Sequence, residues 1–163
     1  MKPATRRERT LACHKAVHYG YPIVSPPVSI FAFVRNGARS VRRAVDSIVA
    51  QSNPNIEFVV QDGASTDGTL EILKSYRDRI KLRSGPDHSP TEAFWRSLPR
   101  CAGNIVGSCL VDEGLLPNAV ERAVWAFEAD ETIGAMTGDA LITDIHGNIT
   151  GSWTNGPSNW STT

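Results

Sequence analysis

The run Ile56-Glu57-Phe58-Val59-Val60-Gln61-Asp62-Gly63-Ala64-Ser65-Thr66-Asp67-Gly68-Thr69 constrains this chain more than any other stretch. Phe58, Val59 and Val60 are of the aromatic and β-branched type that fills a buried strand. The chain then breaks into Asp, Gly, Ser and Thr, the residues of a tight polar turn. Leu70, Ile72, Leu73 and Tyr76 follow with helical spacing. The stretch therefore predicts a strand, an acidic turn and a helix. In an open α/β sheet, ligands bind just beyond the carboxyl ends of the strands, which puts Asp62 where a ligand would sit. Ser65, Thr66 and Asp67 read first as turn and cap residues. Asp62 ends the strand and is too early to cap the helix. Its carboxylate is either an acceptor for a nucleobase N–H or a group that holds the turn.

The flanking sequence repeats the pattern. Residues 28–34 form an apolar run, Arg35-Asn36-Gly37-Ala38-Arg39 a turn, and Ser40 the cap of a helix reaching about Gln51. Val41, Ala44, Val45, Ile48 and Val49 mark the buried face of that helix, with Arg42 and Arg43 toward solvent. Arg35, at a strand end, is placed for a phosphate or for a surface ion pair. Two strands joined by a helix make a βαβ unit, so they should run parallel with a right-handed crossover. A short third strand follows at 80–83, then the loop Ser84-Gly85-Pro86-Asp87-His88-Ser89-Pro90, then a helix over 91–100 that Pro99 cuts short. Glu92 and Arg96 form an i,i+4 pair on it. Residues 104–111 read as a fourth strand, apolar enough to be central.

That strand ends in Asp112-Glu113-Gly114. Carboxylates at the end of a buried strand need a cation, a donor or water. A hard divalent ion such as Mg²⁺ takes carboxylate oxygen together with substrate phosphate. The alternative is a solvated turn before a helix, with Pro117 in its first turn. The helix spans 118–129, with Val120, Val124 and Phe127 facing inward. A strand at 133–137 and a hairpin over 140–153, turning at His146-Gly147-Asn148, complete the pattern.

The chain has 163 residues, enough for one sizeable core. Lys plus Arg and Asp plus Glu both number 17, so the net charge is zero, which argues against a general nucleic-acid binder. Cys13, Cys101 and Cys109 lack metal-type pairing and fit a reduced, cytoplasmic setting. No run approaches the ~20 apolar residues of a membrane span, and the first residues lack a signal-peptide core. Residues 1–27, with Pro22, Pro26 and Pro27, read as a loosely ordered arm, and 154–163 as an irregular tail. His14 and His18 have helical spacing but no third ligand, so exposure is expected rather than metal binding. The short hairpin with Trp153 and Trp160 suggests self-association as a homo-oligomer.

Taken together, the motifs resemble the family 2 glycosyltransferases of GT-A fold. The matching features are the first strand and turn over 28–36, the helix end Ser47-Ile48-Val49-Ala50-Gln51-Ser52, and the central turn 61–69. To these add Pro86-Asp87 with Ala93, then Gly103-Asn104-Ile105-Val106-Gly107 and Asp112-Glu113 with Pro117. The likeness covers about 27–153 and implies a nucleotide-sugar-binding domain over 28–153. It implies a mostly parallel, Rossmann-like α/β sheet with helices on both faces and a C-terminal β-hairpin. It further implies that Asp62 binds the base, usually uracil, and that Asp87 lies near base or ribose. Val34, Arg35 and Val111 would belong to the same nucleotide site. Asp112, with Glu113, would hold Mg²⁺ or Mn²⁺ bridging the diphosphate. The partner would be a nucleoside diphosphate sugar, UDP-linked first of all, with an acceptor the sequence does not identify.

The chain departs from the family pattern at Leu110, where an Asp or Asn usually precedes the metal Asp by two residues. It departs again at Trp95, where an Asn is usual, and at Arg96-Ser97 in place of Lys-Gly. The family's catalytic base and acceptor half lie further along than residue 163. Asp139 and Asp144 read as hairpin surface acids rather than as that base. The competing expectation is a GT-A-like binding or assembly module without chemistry. A nucleotidyltransferase is a more distant one, for which the turn 35–39 is too poor in Gly.

Overall fold

A computed structural model describes residues 27–154. The arm and the tail, with Cys13, His14, His18 and Trp160, lie outside the described residues, apart from Pro27 and Thr154. The chain forms two compact units, one through Ala129 and one from Asp130 onward.

The first unit is built on β1 (Val28–Val34) and β2 (Ile56–Asp62). They pair in parallel, in register from Val28 opposite Ile56 to Val34 opposite Asp62. β3 (Lys81–Ser84) lies outside β2 and β4 (Ile105–Ser108) outside β1, giving the parallel order β3-β2-β1-β4. Successive side chains of a strand point to opposite faces, and the two faces are covered differently. Val28, Ile30, Ala32 and Val34 of β1 join Phe58 and Val60 of β2 on one face. Onto them pack Val41, Val45 and Ile48 of α1 (Val41–Val49), Leu73 of α2 (Thr69–Lys74), and Val120 and Val124 of α4 (Ala119–Ala129). Burying a side chain of this size contributes about 1.5–3 kcal/mol. The other face receives α3 (Pro90–Ser97), whose Phe94 ring meets Phe31 edge-on with centroids 5.3 Å apart. Helices thus lie on both faces, as expected.

Several local expectations are corrected. Ser40 takes the N-cap position of α1 but makes no side-chain cap bond; the Gly37 carbonyl accepts both Ser40 N–H and Val41 N–H instead. β4 stops at Ser108 rather than at 111 and is an end strand of this sheet, not a central one. The chain leaves the ladder because Glu113 folds back: its N–H donates to the Leu110 carbonyl, and its carboxylate accepts Leu110 N–H at 2.8 Å. α3 ends at Ser97 and passes into a 3₁₀ turn, Leu98–Arg100, consistent with Pro99.

In the second unit, β5 (Ala140–Thr143) pairs antiparallel with β6 (Ile149–Trp153). The turn lies where the sequence placed it, with Gly147 at φ 89°. The predicted strand at 133–137 does not form. Ile133 N–H instead closes a turn onto the Asp130 carbonyl, and a strand has nothing to satisfy its backbone without a paired neighbour. Among the described residues, no helix is long and apolar enough to cross a membrane.

Candidate functional site at the carboxyl rim of the sheet

Parallel register brings the strand ends to one rim. Val34 ends β1 opposite Asp62, and Asp62 is opposite Ser84, the end of β3. The ladder runs one residue further, Gly63 N–H donating to the Val34 carbonyl at 2.8 Å and Gly85 N–H to the Asp62 carbonyl at 3.0 Å.

The turns after β1 and β2 are stitched together. Asn36 N–H donates to Ser65 Oγ at 2.8 Å, and Thr66 N–H donates to Asn36 Oδ1 at 2.9 Å. Gly37 N–H donates to Thr69 Oγ1 at 2.8 Å, and Ala38 N–H to Asp67 Oδ2 at 3.0 Å. Asp67 also accepts the Thr69 hydroxyl and N–H. The Thr69 hydroxyl and the Ala38 N–H hold the Asp67 carboxyl below its usual range. Ser65, Thr66 and Asp67 are therefore fold-holding residues, and their bonds reach across to a second loop. Ala64 sits at φ 58°, a left-handed conformation that costs energy for any residue with a β-carbon.

Asp62 is wholly buried. Its carboxylate accepts the Ser84 hydroxyl at 2.6 Å and the Ser65 N–H at 3.3 Å. Asp87 reaches the same strand end from the β3–α3 loop. A β-carbon built on Gly63 would stand 2.6 Å from Asp87 Oδ2, so glycine is what admits that carboxylate beside Asp62. Asp87 has no hydrogen-bond or ion-pair partner among the described residues.

Gly37 plays a similar part between β1 and β4. A β-carbon there would meet Val34 Cγ2 at 2.6 Å and Val111 Cγ2 at 3.2 Å. Val34 and Val111 are thus brought together across a glycine, and Asp112 follows directly, exposed to solvent. Glu113 is also exposed, but its carboxylate is committed to its own turn. Among the described residues no group of three or more His, Cys, Asp or Glu side chains is placed to hold a metal ion. Beneath the pair, burial and the charges of Glu113 and Asp112 push the Cys109 thiol up to about 12, so it stays protonated. Arg35 is exposed, without a bonded partner among the described residues.

The sequence reading missed Ser84, Gln61 and the tie from Asn36. Ser84 is foreshadowed only by its place at a strand end, and Gln61 by being polar next to an apolar run. A shallow cavity of about 220 Å³ lies elsewhere, near Ile48, Ile56, Phe58 and Arg79 at the amino end of β2. Asp144 is accounted for by its own turn, accepting His146 N–H, Asn148 N–H and the Asn148 side-chain amide.

A family model described as Glycosyl transferase family 2 matches residues 29–144. The putative glycosyltransferase EpsE of Bacillus subtilis (strain 168) is 31% identical over 130 residues, which are 75% of this chain and 46% of that protein. Among solved structures, S. aureus TarS 1-349 in complex with UDP-GlcNAc matches with a TM-score of 0.58 at 22% identity, covering 63% of this chain and 31% of that one. The mannosyltransferase PcManGT from Pyrobaculum calidifontis, in complex with GDP-Man and Mn²⁺, matches with a TM-score of 0.59 at 21% identity, covering 85% and 43%. The likeness to these structures shows the GT-A fold. This chain spans less than half the length of each of the three proteins.

Proposed function

The chain belongs to glycosyl transferase family 2, and from that membership we propose that its sheet rim is the donor site of a glycosyl transfer from a nucleoside diphosphate sugar. The observation that carries the proposal is the Asp87 carboxylate lying against Gly63 beside the buried Asp62. Two carboxylates, one ending β2 and one from the β3–α3 loop, supply acceptors where such sheets bind ligands. Asp62 takes an N–H of the base, and Asp87 lies at base or ribose. Val34 and Val111 wall the site, and Arg35 meets a phosphate. UDP is the nucleotide that the sequence resemblance names first.

A divalent cation fits the rim in a limited way. Mg²⁺ draws most of its ligands from phosphate and water and needs one or two carboxylates. Asp112, exposed and without a partner among the described residues, meets that need. Glu113 would have to give up Leu110 N–H to join it. When bound, Mg²⁺ or Mn²⁺ neutralises charge on the departing nucleoside diphosphate. The acceptor half and the general base are outside this assignment.

The commitment of Glu113 to its own turn, together with Leu110 in place of an acidic residue, favours a second reading: a non-catalytic GT-A-like binding or assembly module that no longer uses the nucleotide-sugar site. Thermal unfolding with UDP-, GDP- and dTDP-sugars, with and without Mn²⁺, tests both. A ligand at a hundredfold over its dissociation constant stabilises by about 2.7 kcal/mol. A shift with one of these sugars supports the donor site, and no shift with any supports the module.

A further inference from the structure

Gln61 is wholly covered, next to last in β2. Its Nε2 donates to the Asp62 main-chain carbonyl at 3.2 Å. Its Oε1 is buried with no hydrogen-bond partner, the one buried side-chain nitrogen or oxygen left so among the described residues. That hydrogen bond assigns the two amide atoms, since only the nitrogen can donate to a carbonyl. An unsatisfied buried acceptor costs about 1–3 kcal/mol, and native folds rarely leave one without a purpose.

The direction of the side chain gives the purpose. Residues two apart on a strand share a side, and the ladder continues through Gly63. Gln61 therefore stands on the side of β2 on which a Gly63 β-carbon would point, and there the Asp87 carboxylate lies. Two acceptors without partners, an amide oxygen and a carboxylate, occupy one side of the strand end. Uracil offers a single ring N–H flanked by carbonyl oxygens, so a second acceptor faces one of those oxygens. Guanine offers a ring N–H and an exocyclic amine side by side, one donor for each acceptor.

We propose that Gln61 Oε1 and the Asp87 carboxylate form a base-reading pair selective for guanine, with Gln61 accepting the exocyclic amine and Asp87 the ring N–H. The inference rests on the donor-site reading and departs from it in two respects: the base is guanine rather than the uracil that the family resemblance implies, and its ring N–H goes to Asp87 rather than to Asp62, whose carboxylate holds Ser84 and Ser65. Because Oε1 is covered, the base reaches it only as the groups above it move aside. The Asp87 loop itself stays anchored, by Gly85 N–H on the Asp62 carbonyl and by Arg96 donating to the Pro86 carbonyl at 2.7 Å.

Calorimetric titration of GDP, IDP and UDP into the 163-residue chain with Mg²⁺ tests the pair. IDP differs from GDP only in lacking the exocyclic amine. GDP is expected to bind about tenfold tighter than IDP, the worth of one good hydrogen bond to a buried acceptor, and tighter than UDP. In Gln61→Leu the GDP-to-IDP ratio falls to about one. Equal binding of GDP and IDP to the unaltered chain, or UDP binding as tightly as GDP, overturns the inference and leaves the donor site standing. Binding of none of the three overturns the donor site, and this inference with it.

Discussion

The Asp87 carboxylate rests on Gly63, so close that a β-carbon at residue 63 would lie 2.6 Å from Oδ2. This contact joins the β3–α3 loop to the end of β2 and puts a second acid beside Asp62. The obstructing atom is the far end of a side chain, so it can swing away. Gly63→Ala is expected to cost less than about 1 kcal/mol of stability, while nucleotide affinity falls as Asp87 is displaced. Urea unfolding and a parallel ligand titration separate the two effects.

Gly103 provides the opposite case at the other end of the sheet. A β-carbon there would stand 2.5 Å from the Ser29 backbone nitrogen and 2.8 Å from the Pro27 carbonyl oxygen. Backbone held in a sheet cannot move aside as a side-chain tip can. Gly103→Ala should therefore destabilise by roughly 3 kcal/mol, as overpacking of a rigid region does. It should leave the affinity of the folded fraction unchanged.

Thr69 tests the stitch between the two rim turns. Its hydroxyl accepts Gly37 N–H and donates to Asp67. The side chain is wholly buried. Thr69→Val keeps the shape, orphans Gly37 N–H, and should cost about 2 kcal/mol. Hydrogen exchange should then speed up at Gly37 and Ala38 before it does in the strands.

The fold was legible where the pattern is local. The apolar run at Phe58 to Val60 with its acidic turn located β2, and His146-Gly147-Asn148 located the hairpin turn. What escaped was whatever depends on partners far along the chain. Asn36 and Ser65 are 29 residues apart and meet only because β1 and β2 are in register. The run 133–137 has strand-like residues, yet only the presence of a neighbour decides whether a strand forms. Ser40 had a cap's identity, but its hydroxyl turns back to donate to the Gly37 carbonyl and accepts nothing from the first turn of α1. At the site, the sequence named Asp62 and Asp87; Gln61 was passed over because its exceptional feature, an orphaned oxygen, exists only once the folded chain has buried it.

Acid stability should trace to Glu57. Burial raises its pKa, but the Lys81 ammonium, the Ser29 hydroxyl and the Ala102 N–H outweigh that and hold it down to about 2, from the usual 4.5. A depressed folded-state pKa means stability that is fully present above about 4.5 and is lost as pH falls toward about 2. Melting temperature should fall through that window in the natural chain. Glu57→Gln should melt lower at neutral pH and show a flatter acid limb. An unchanged acid limb would assign the loss to other carboxylates.

Asp112 and Glu113 should separate in function. Asp112→Ala is expected to abolish any Mg²⁺-dependent part of nucleotide binding. Glu113→Gln keeps an acceptor for Leu110 N–H and should preserve both fold and metal response. Titration with nucleotide in Mg²⁺ and in EDTA distinguishes them. A metal response that survives Asp112→Ala places the cation elsewhere.

Every role assigned to the carboxyl rim of the sheet requires that a nucleoside diphosphate bind there. Amide chemical-shift mapping of the isotope-labelled chain during titration with UDP and with GDP in Mg²⁺ tests it most directly. Saturable changes confined to residues 34–38, 61–66, 84–88 and 111–113 are the predicted result. No saturable change with either nucleotide, or changes centred on the Ile56 and Arg79 cavity at the opposite end of β2, would contradict the account.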